Sequence, residues 1–131
     1  MKQESVIKPH LVKPMLDKII FEKTGLPQQN ATINIKPEDV IDVRKVSEEI
    51  VKVTMERRLI VSPANIMRVA VVMSIDIPVD SIEFGRLDDP KGYIKNSQPV
   101  RILAAYVSNM ITTLTLNTIL GPIVTPPNIQ E

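Results

Sequence analysis

The residues able to do chemistry are few and scattered, and their types exclude more than they suggest. The single histidine, His10, lies between Pro9 and Leu11 in a chain without cysteine. It has no second soft ligand to share a metal with, so it reads as a solvated side chain. Asp88 and Asp89 are adjacent carboxylates, but Pro90 and Gly92 follow them, and acidic residues in that company usually close turns through their own backbone. Neither phosphate-binding glycine loop, G-x-G-x-x-G or G-x-x-x-x-G-K, occurs, and there is no G-x-S-x-G elbow. Arg57-Arg58 and Lys91…Lys95 are the basic groupings, and Phe21, Phe84, Tyr93 and Tyr106 are the aromatics. That is too little to stack and neutralise a nucleic acid strand. A net charge of +1 likewise gives no electrostatic footprint for nucleic acid or an anionic membrane. The sequence therefore disfavours an enzyme, and it implies no cofactor and no metal.

What remains is apolar surface. Apolar residues make up 44% of the 131 residues, aromatics only 3%, and tryptophan is absent, so the core must be aliphatic. Met15, Met55, Met67, Met73 and Met110 stand out because methionine adapts to irregular and varied partners. Met67 and Met73 share the parity of neighbouring valines and read as core, while Met15 is equally suited to a partner contact.

The elements that must position these side chains begin after a loose arm. Residues 1–14 contain Pro9 and Pro14 and read as flexible; they lack the apolar centre of a signal peptide, and no run of about 18 apolar residues is present to span a bilayer. A soluble, cytoplasmic protein of one domain, residues 1–131, is expected from this length. Residues 15–23 alternate Met15, Asp17, Ile19, Phe21 against Leu16, Lys18, Ile20, Glu22 and read as a short strand, followed by a Gly- and Pro-punctuated loop over 24–30. Residues 31–47 give a weaker strand, which starts after Pro37 or lies at an edge, since proline cannot donate to a ladder. Between Glu49 and Val61 the odd positions Val51, Val53, Met55, Leu59 and Val61 are apolar, with Arg57 the departure, and from Met67 to Val79 every odd position is apolar. Such alternation marks two strands with one covered face. Ser62-Pro63-Ala64-Asn65 joins them as an antiparallel hairpin. The wet face carries Lys52, Glu56, Arg58, Arg68 and Asp76.

Residues 80–96 read as irregular. Asn96-Ser97 then offers an N-cap with Pro99 in the first turn, and Val100, Leu103, Val107, Met110 or Ile111, and Leu114 recur at helical spacing. Thr112, Thr113 and Thr115 weaken the helix towards its end, and Gly121-Pro122 stops it. The expected class is α+β: a four-stranded antiparallel sheet covered by a long C-terminal helix.

This order of parts resembles the SecB family of export chaperones. There a four-stranded sheet precedes a helix opened by a motif like LFPYxRExI, then a glycine and a stretch like FPPLxLxPxNF. In Ile102–Ile111, the residues Leu103, Tyr106 and Ile111 match, while Ala104-Ala105 replace Phe-Pro and Ser108-Asn109 replace Arg-Glu. In Gly121–Ile129, Pro127 and Asn128 match, and Ile129 replaces Phe. The resemblance implies an ATP-independent holdase that assembles as a homotetramer, a dimer of dimers, and binds unfolded polypeptide clients in apolar grooves during protein export or folding. It points to Ile19, Phe21, Leu103, Tyr106, Ile123 and Val124 as client contacts. The family's motor partner SecA docks on an acidic sheet face, which mixed charges replace here, so the resemblance does not extend to SecA. A dedicated client such as an antitoxin fits instead. The competing reading is a non-catalytic assembly protein that uses the same fold as an oligomerisation module.

Overall fold

The period-two segments pair as their patterns require. In the computed structural model, which describes residues 6–8, 13–23, 25, 32–62, 66–118 and 120–131, the strands are β1 (Met15–Lys23), β2 (Asn34–Lys45), β3 (Ile50–Ser62) and β4 (Met67–Pro78). They form one antiparallel sheet in the order β1-β4-β3-β2. Val51 lies opposite Ile77, Val53 opposite Ile75, Met55 opposite Met73 and Leu59 opposite Val69, and all eight are buried on one face. The other face carries the charges. Arg68 pairs with Glu22 at 3.3 Å, and Arg58 lies 3.7 Å from Glu56 and 3.9 Å from Glu38. Exposed pairs of this kind contribute about 0–1 kcal/mol each, so they keep the face wet rather than hold the fold. The expected turn at Ser62–Asn65 falls mostly on residues 63–65, outside the described residues.

Pro37 sits within β2, opposite Leu59, and β2 is an edge strand; of the two positions open to it, the edge is the one taken. On β1 the simple parity fails. The register shifts between Leu16 and Lys18, a bulge that gives the strand one extra residue and flips the positions beyond it. Leu16, opposite Met73, therefore joins Ile19, opposite Val71, and Phe21, opposite Val69, on the helix side. Met15, opposite Ser74, turns to the other face.

Part of the expected loose arm is tied down. Val6 is buried, Ile7 bridges Val79, and the chain is fastened by Lys8 N–H to Pro78 O and Asp80 N–H to Val6 O. His10 lies outside the described residues. The stretch read as irregular contains two short helices, α1 (Ser81–Gly85) and α2 (Pro90–Lys95). They are too short to show periodicity, and their signal is in the caps. Asp80 accepts hydrogen bonds from the Ile82 and Glu83 amides, and Asp89 accepts one from Gly92. Gly92 is a glycine because a Cβ there would strike the Asp89 carboxylate that caps its amide.

The long helix, α3 (Gln98–Thr115), packs on β4 and β3. Val100, Leu103, Val107 and Ile111 are fully buried along it. It ends at Thr115, short of the expected Gly121: Thr112, Thr113 and Thr115 turn their hydroxyls back on the carbonyls of Ser108, Asn109 and Ile111, bonds that weaken a helix, and the chain goes on in tighter turns, Leu116 N–H to Thr113 O and Thr118 N–H to Thr115 O. Gly121, at φ 74°, adopts the left-handed conformation that reverses the chain. Residues 122–131 then return as an extended strap along α3. Ser108 donates to Thr125 O at 2.6 Å, Thr112 donates to Ile123 O at 3.1 Å, and the Ile123 amide donates to Thr115 Oγ1 at 2.8 Å.

Arg57, the charged residue on the buried parity of β3, explains the strap. Its side chain and that of Asp39 on β2 are both wholly buried. Nε and Nη2 donate to the two Asp39 oxygens at 2.8 Å each. The remaining donors reach the strap: Nη1 to Thr125 Oγ1 at 2.8 Å and Pro126 O at 2.6 Å, and Nη2 to Asn128 O at 2.7 Å. All five guanidinium donors are thus used. Asp39 adds its own grip, accepting the Gln130 amide at 2.6 Å while its backbone N–H donates to Gln130 O at 2.8 Å. Because removing one member of a buried pair strands the other, Arg57→Met should cost about 3–5 kcal/mol, and Arg57→Met with Asp39→Leu should recover much of that loss. Urea unfolding of the three proteins decides it: a single variant less than about 1 kcal/mol below wild type would show that the clamp does not hold the strap.

Candidate functional site

Helix α3 divides its side of the sheet into a strapped flank and an open one. Ser108 and Thr112, which hold the strap, lie on one flank. At 100° per residue, Tyr106, Met110 and Leu114 lie on the opposite flank, one turn apart. That flank leans towards β1, since Leu114 and Phe21 line the same cavity of about 210 Å³, with Ile66, Met67, Asn117 and Thr118. Beyond the cavity the helix side of β1 is uncovered. Leu16 is 44% exposed, Ile19 38% and Phe21 40%, and on α3 Tyr106 is 41% and Ile102 38% exposed. The exposed row of β1 and the Tyr106–Leu114 flank of α3 border an apolar trough that begins at the cavity shared by Phe21 and Leu114.

The two sheet edges also differ. The outer edge of β2 carries Pro37 and gives its Asp39 N–H to the strap, so it is blunted. The outer edge of β1 has no strand partner among the described residues, and its backbone groups are free to pair with an extended chain. Around it stand Lys18, Glu22 and Lys23, which discourage indiscriminate stacking of edges.

Of the residues singled out from sequence, Ile19 and Phe21 are exposed on β1, and Tyr106 is exposed on the flank of α3 whose Leu114 shares a cavity with Phe21. Leu103 and Ile123 are not: Leu103 is fully buried and Ile123 is 8% exposed, both within the aliphatic core. They have no surface to offer a client, and that expectation is corrected; their apolar character serves the packing of α3 and of the strap. Val124 is 79% exposed but stands on the strap, across α3 from the trough. The residues missed are Leu16, Ile102, Met110 and Leu114. Leu16 was hidden by the bulge, whereas Ile102, Tyr106, Met110 and Leu114 recur every four residues and form a second stripe beside the core stripe. Met67 and Met73 are buried as core, and Met15 is 64% exposed on the far face. Among the described residues no cluster of three His, Cys, Asp or Glu is placed to hold a metal, and no helix is long and apolar enough to cross a membrane.

No family model matches the sequence and no curated protein matches it. Among solved structures, a SecB-like chaperone of Mycobacterium tuberculosis, in complex with a ChAD peptide from an antitoxin, aligns with a TM-score of 0.70. The alignment covers 87% of this chain and 86% of that one at 11% identity. The chain has a SecB-like fold. A protein of unknown function from Streptococcus agalactiae aligns more loosely, with a TM-score of 0.42 at 15% identity over 88% of this chain and 94% of that one. In this chain Ser108, at the position where the resembled motif has Arg, anchors the strap through Thr125 O.

The division between core and trough can be measured. Leu103→Ala should cost about 2–5 kcal/mol, as other buried leucines do, while Ile19→Ser and Tyr106→Ser, already partly wet, should each change stability by less than about 1 kcal/mol. Equal losses in denaturant titrations would mean that the trough side chains are core in solution.

Proposed function

We propose that the protein is a chaperone of the holdase type, which keeps non-native polypeptides from aggregating without ATP. The observation that carries this reading is the exposed apolar row Leu16, Ile19 and Phe21 along an edge strand, beside the flank of α3 that carries Tyr106 and meets Phe21 through Leu114. An extended client laid beside β1 would pair its backbone with the edge and press alternate side chains into the trough. That combination reads chain extension and apolar content without demanding a sequence. It calls for no reacting group, which agrees with the absence of a catalytic motif in the sequence. The fold supports the reading, as does the peptide bound to the mycobacterial protein of the same fold.

The finer terms follow from the same reading. The clients are unfolded polypeptides, with a dedicated client such as an antitoxin favoured over general export. The outer sheet face, with Arg68–Glu22 and Arg58–Glu56 paired, offers no acidic surface for SecA. A cytoplasmic homo-oligomer, a dimer of dimers built from one compact domain, suits a holdase. A second reading rests on the same edge. If β1 of one copy pairs with β1 of another and leaves no trough open, the protein is an assembly module.

Aggregation of a chemically unfolded model substrate, followed by light scattering at near-stoichiometric ratios, separates the two. The holdase reading expects suppression without ATP, at least threefold weaker for Ile19→Asp and for Tyr106→Asp, with the oligomer mass unchanged. Wild type with no effect on aggregation would defeat it and leave the assembly role.

A further inference from the structure

A second cavity lies on the strapped flank of α3, away from the trough. It measures about 260 Å³ and is formed where α2, the first turns of α3 and the strap meet. Its floor is apolar: Val100 and Ala104 are buried, and Ile129 packs on the core from the strap. Its charged lining is cationic, Lys95 and Arg101 with no carboxylate, and Asn96 and Asn128 complete its polar side. Arg101 is exposed and has no ion-pair partner among the described residues. Lys95 Nζ lies 3.3 Å from Glu131 Oε2, with the two side chains 33% and 52% exposed, a pairing weak enough to be exchanged with a competitor.

The strap itself shows the spacing at which a peptide meets this lining. In Ile129-Gln130-Glu131 an aliphatic side chain forms one wall and the carboxylate two residues later reaches Lys95. The volume is below that of a drug-sized ligand site and suits one or two side chains. A second carboxylate has a cation waiting, because Arg101 is unused.

From this we infer that the cavity is a binding site for an acidic segment of a polypeptide: an aliphatic residue followed two positions later by Asp or Glu. The aliphatic side chain covers Val100 and Ala104, and the carboxylate pairs with Arg101 and competes with Glu131 for Lys95. This deepens the proposed polypeptide-binding function by giving it a charge preference, and it rests on that reading for the identity of the ligand as a client.

The test uses the full chain labelled with ¹⁵N and two capped peptides, acetyl-Leu-Gln-Glu-amide and acetyl-Leu-Gln-Gln-amide, with sodium phosphate as a third titrant. The Glu peptide should give saturable shifts at Lys95 to Ala104 and at Ile129, and the Gln peptide should bind about fivefold more weakly. Arg101→Gln should weaken the Glu peptide by a similar factor, and Glu131→Gln, which removes the competitor, should tighten it. Equal binding of both peptides, no shifts at these amides, or phosphate reproducing the shifts at the same affinity would each overturn the inference. Failure of this site with aggregation still suppressed leaves the holdase reading intact. Binding here without suppression removes that reading and keeps the site.

Discussion

The buried Arg57–Asp39 pair is the interaction on which the rest of the architecture depends. Two charges removed from water cost several kcal/mol each unless every donor and lone pair is matched, and here the matching is supplied by the strap. Arg57 alone holds Thr125, Pro126 and Asn128, and Asp39 holds Gln130 at both its amide and its carbonyl. The strap cannot leave without stranding the pair, and the pair could not be buried without the strap. One charged residue on the covered parity of β3 thereby fixes the path of the last ten residues, from Pro122 to Glu131.

That path decides which part of the sheet stays open. Four strands about 4.8 Å apart place the outer two roughly 14 Å from one another, while a helix with its side chains is about 10–12 Å across. One helix therefore cannot cover the helix side of this sheet. The strap fills the shortfall over β2 and β3, and its bonds to Ser108, Thr112 and Thr115 draw α3 towards that side. The uncovered remainder falls on β1, and the bulge at Asp17 turns Leu16 into it. An exposed aliphatic strip is thus a geometric consequence of where the clamp sits.

The parts legible in the sequence were those with a sustained period. Thirteen residues of alternation in β3, twelve in β4 and eighteen at helical spacing in α3 announce their partners, because a slip of one residue would turn a whole face out to water. Pro37 left two places for β2, a start after it or an edge, and the edge is the one taken. The helices α1 and α2 were not legible, being five and six residues long and marked only by Asp80 and Asp89 at their caps. Of the six residues expected as client contacts, Ile19, Phe21, Tyr106 and Val124 are exposed. Leu103 misled because the motif it matches says nothing about which side of the helix faces the sheet, and Leu16 was lost because a bulge leaves no periodic trace. The Arg57–Asp39 pair left one clue, a charge on an apolar parity, but its partner lay 18 residues away on a strand whose register the sequence did not specify.

The energetics of the trough bear on how such a protein would have to work. A fully buried Leu, Ile or Phe contributes about 1.5–3 kcal/mol, and the trough residues are already about half covered, so four of them offer on the order of 4 kcal/mol. Alone, that corresponds to a dissociation constant of roughly 1 mM. Tight capture then needs either the backbone bonds of strand addition at β1 or several weak sites engaged by one chain. Multiple sites on an oligomer raise avidity by orders of magnitude without any strong contact, and they favour long unfolded chains, since only these can reach from one trough to the next. Weak individual sites also permit release without an energy source. For the proposed holdase, a clamp on one flank and a shallow aliphatic surface on the other would be complementary requirements: the first would hold α3 away from β1, and the second would keep each site weak enough to release its client.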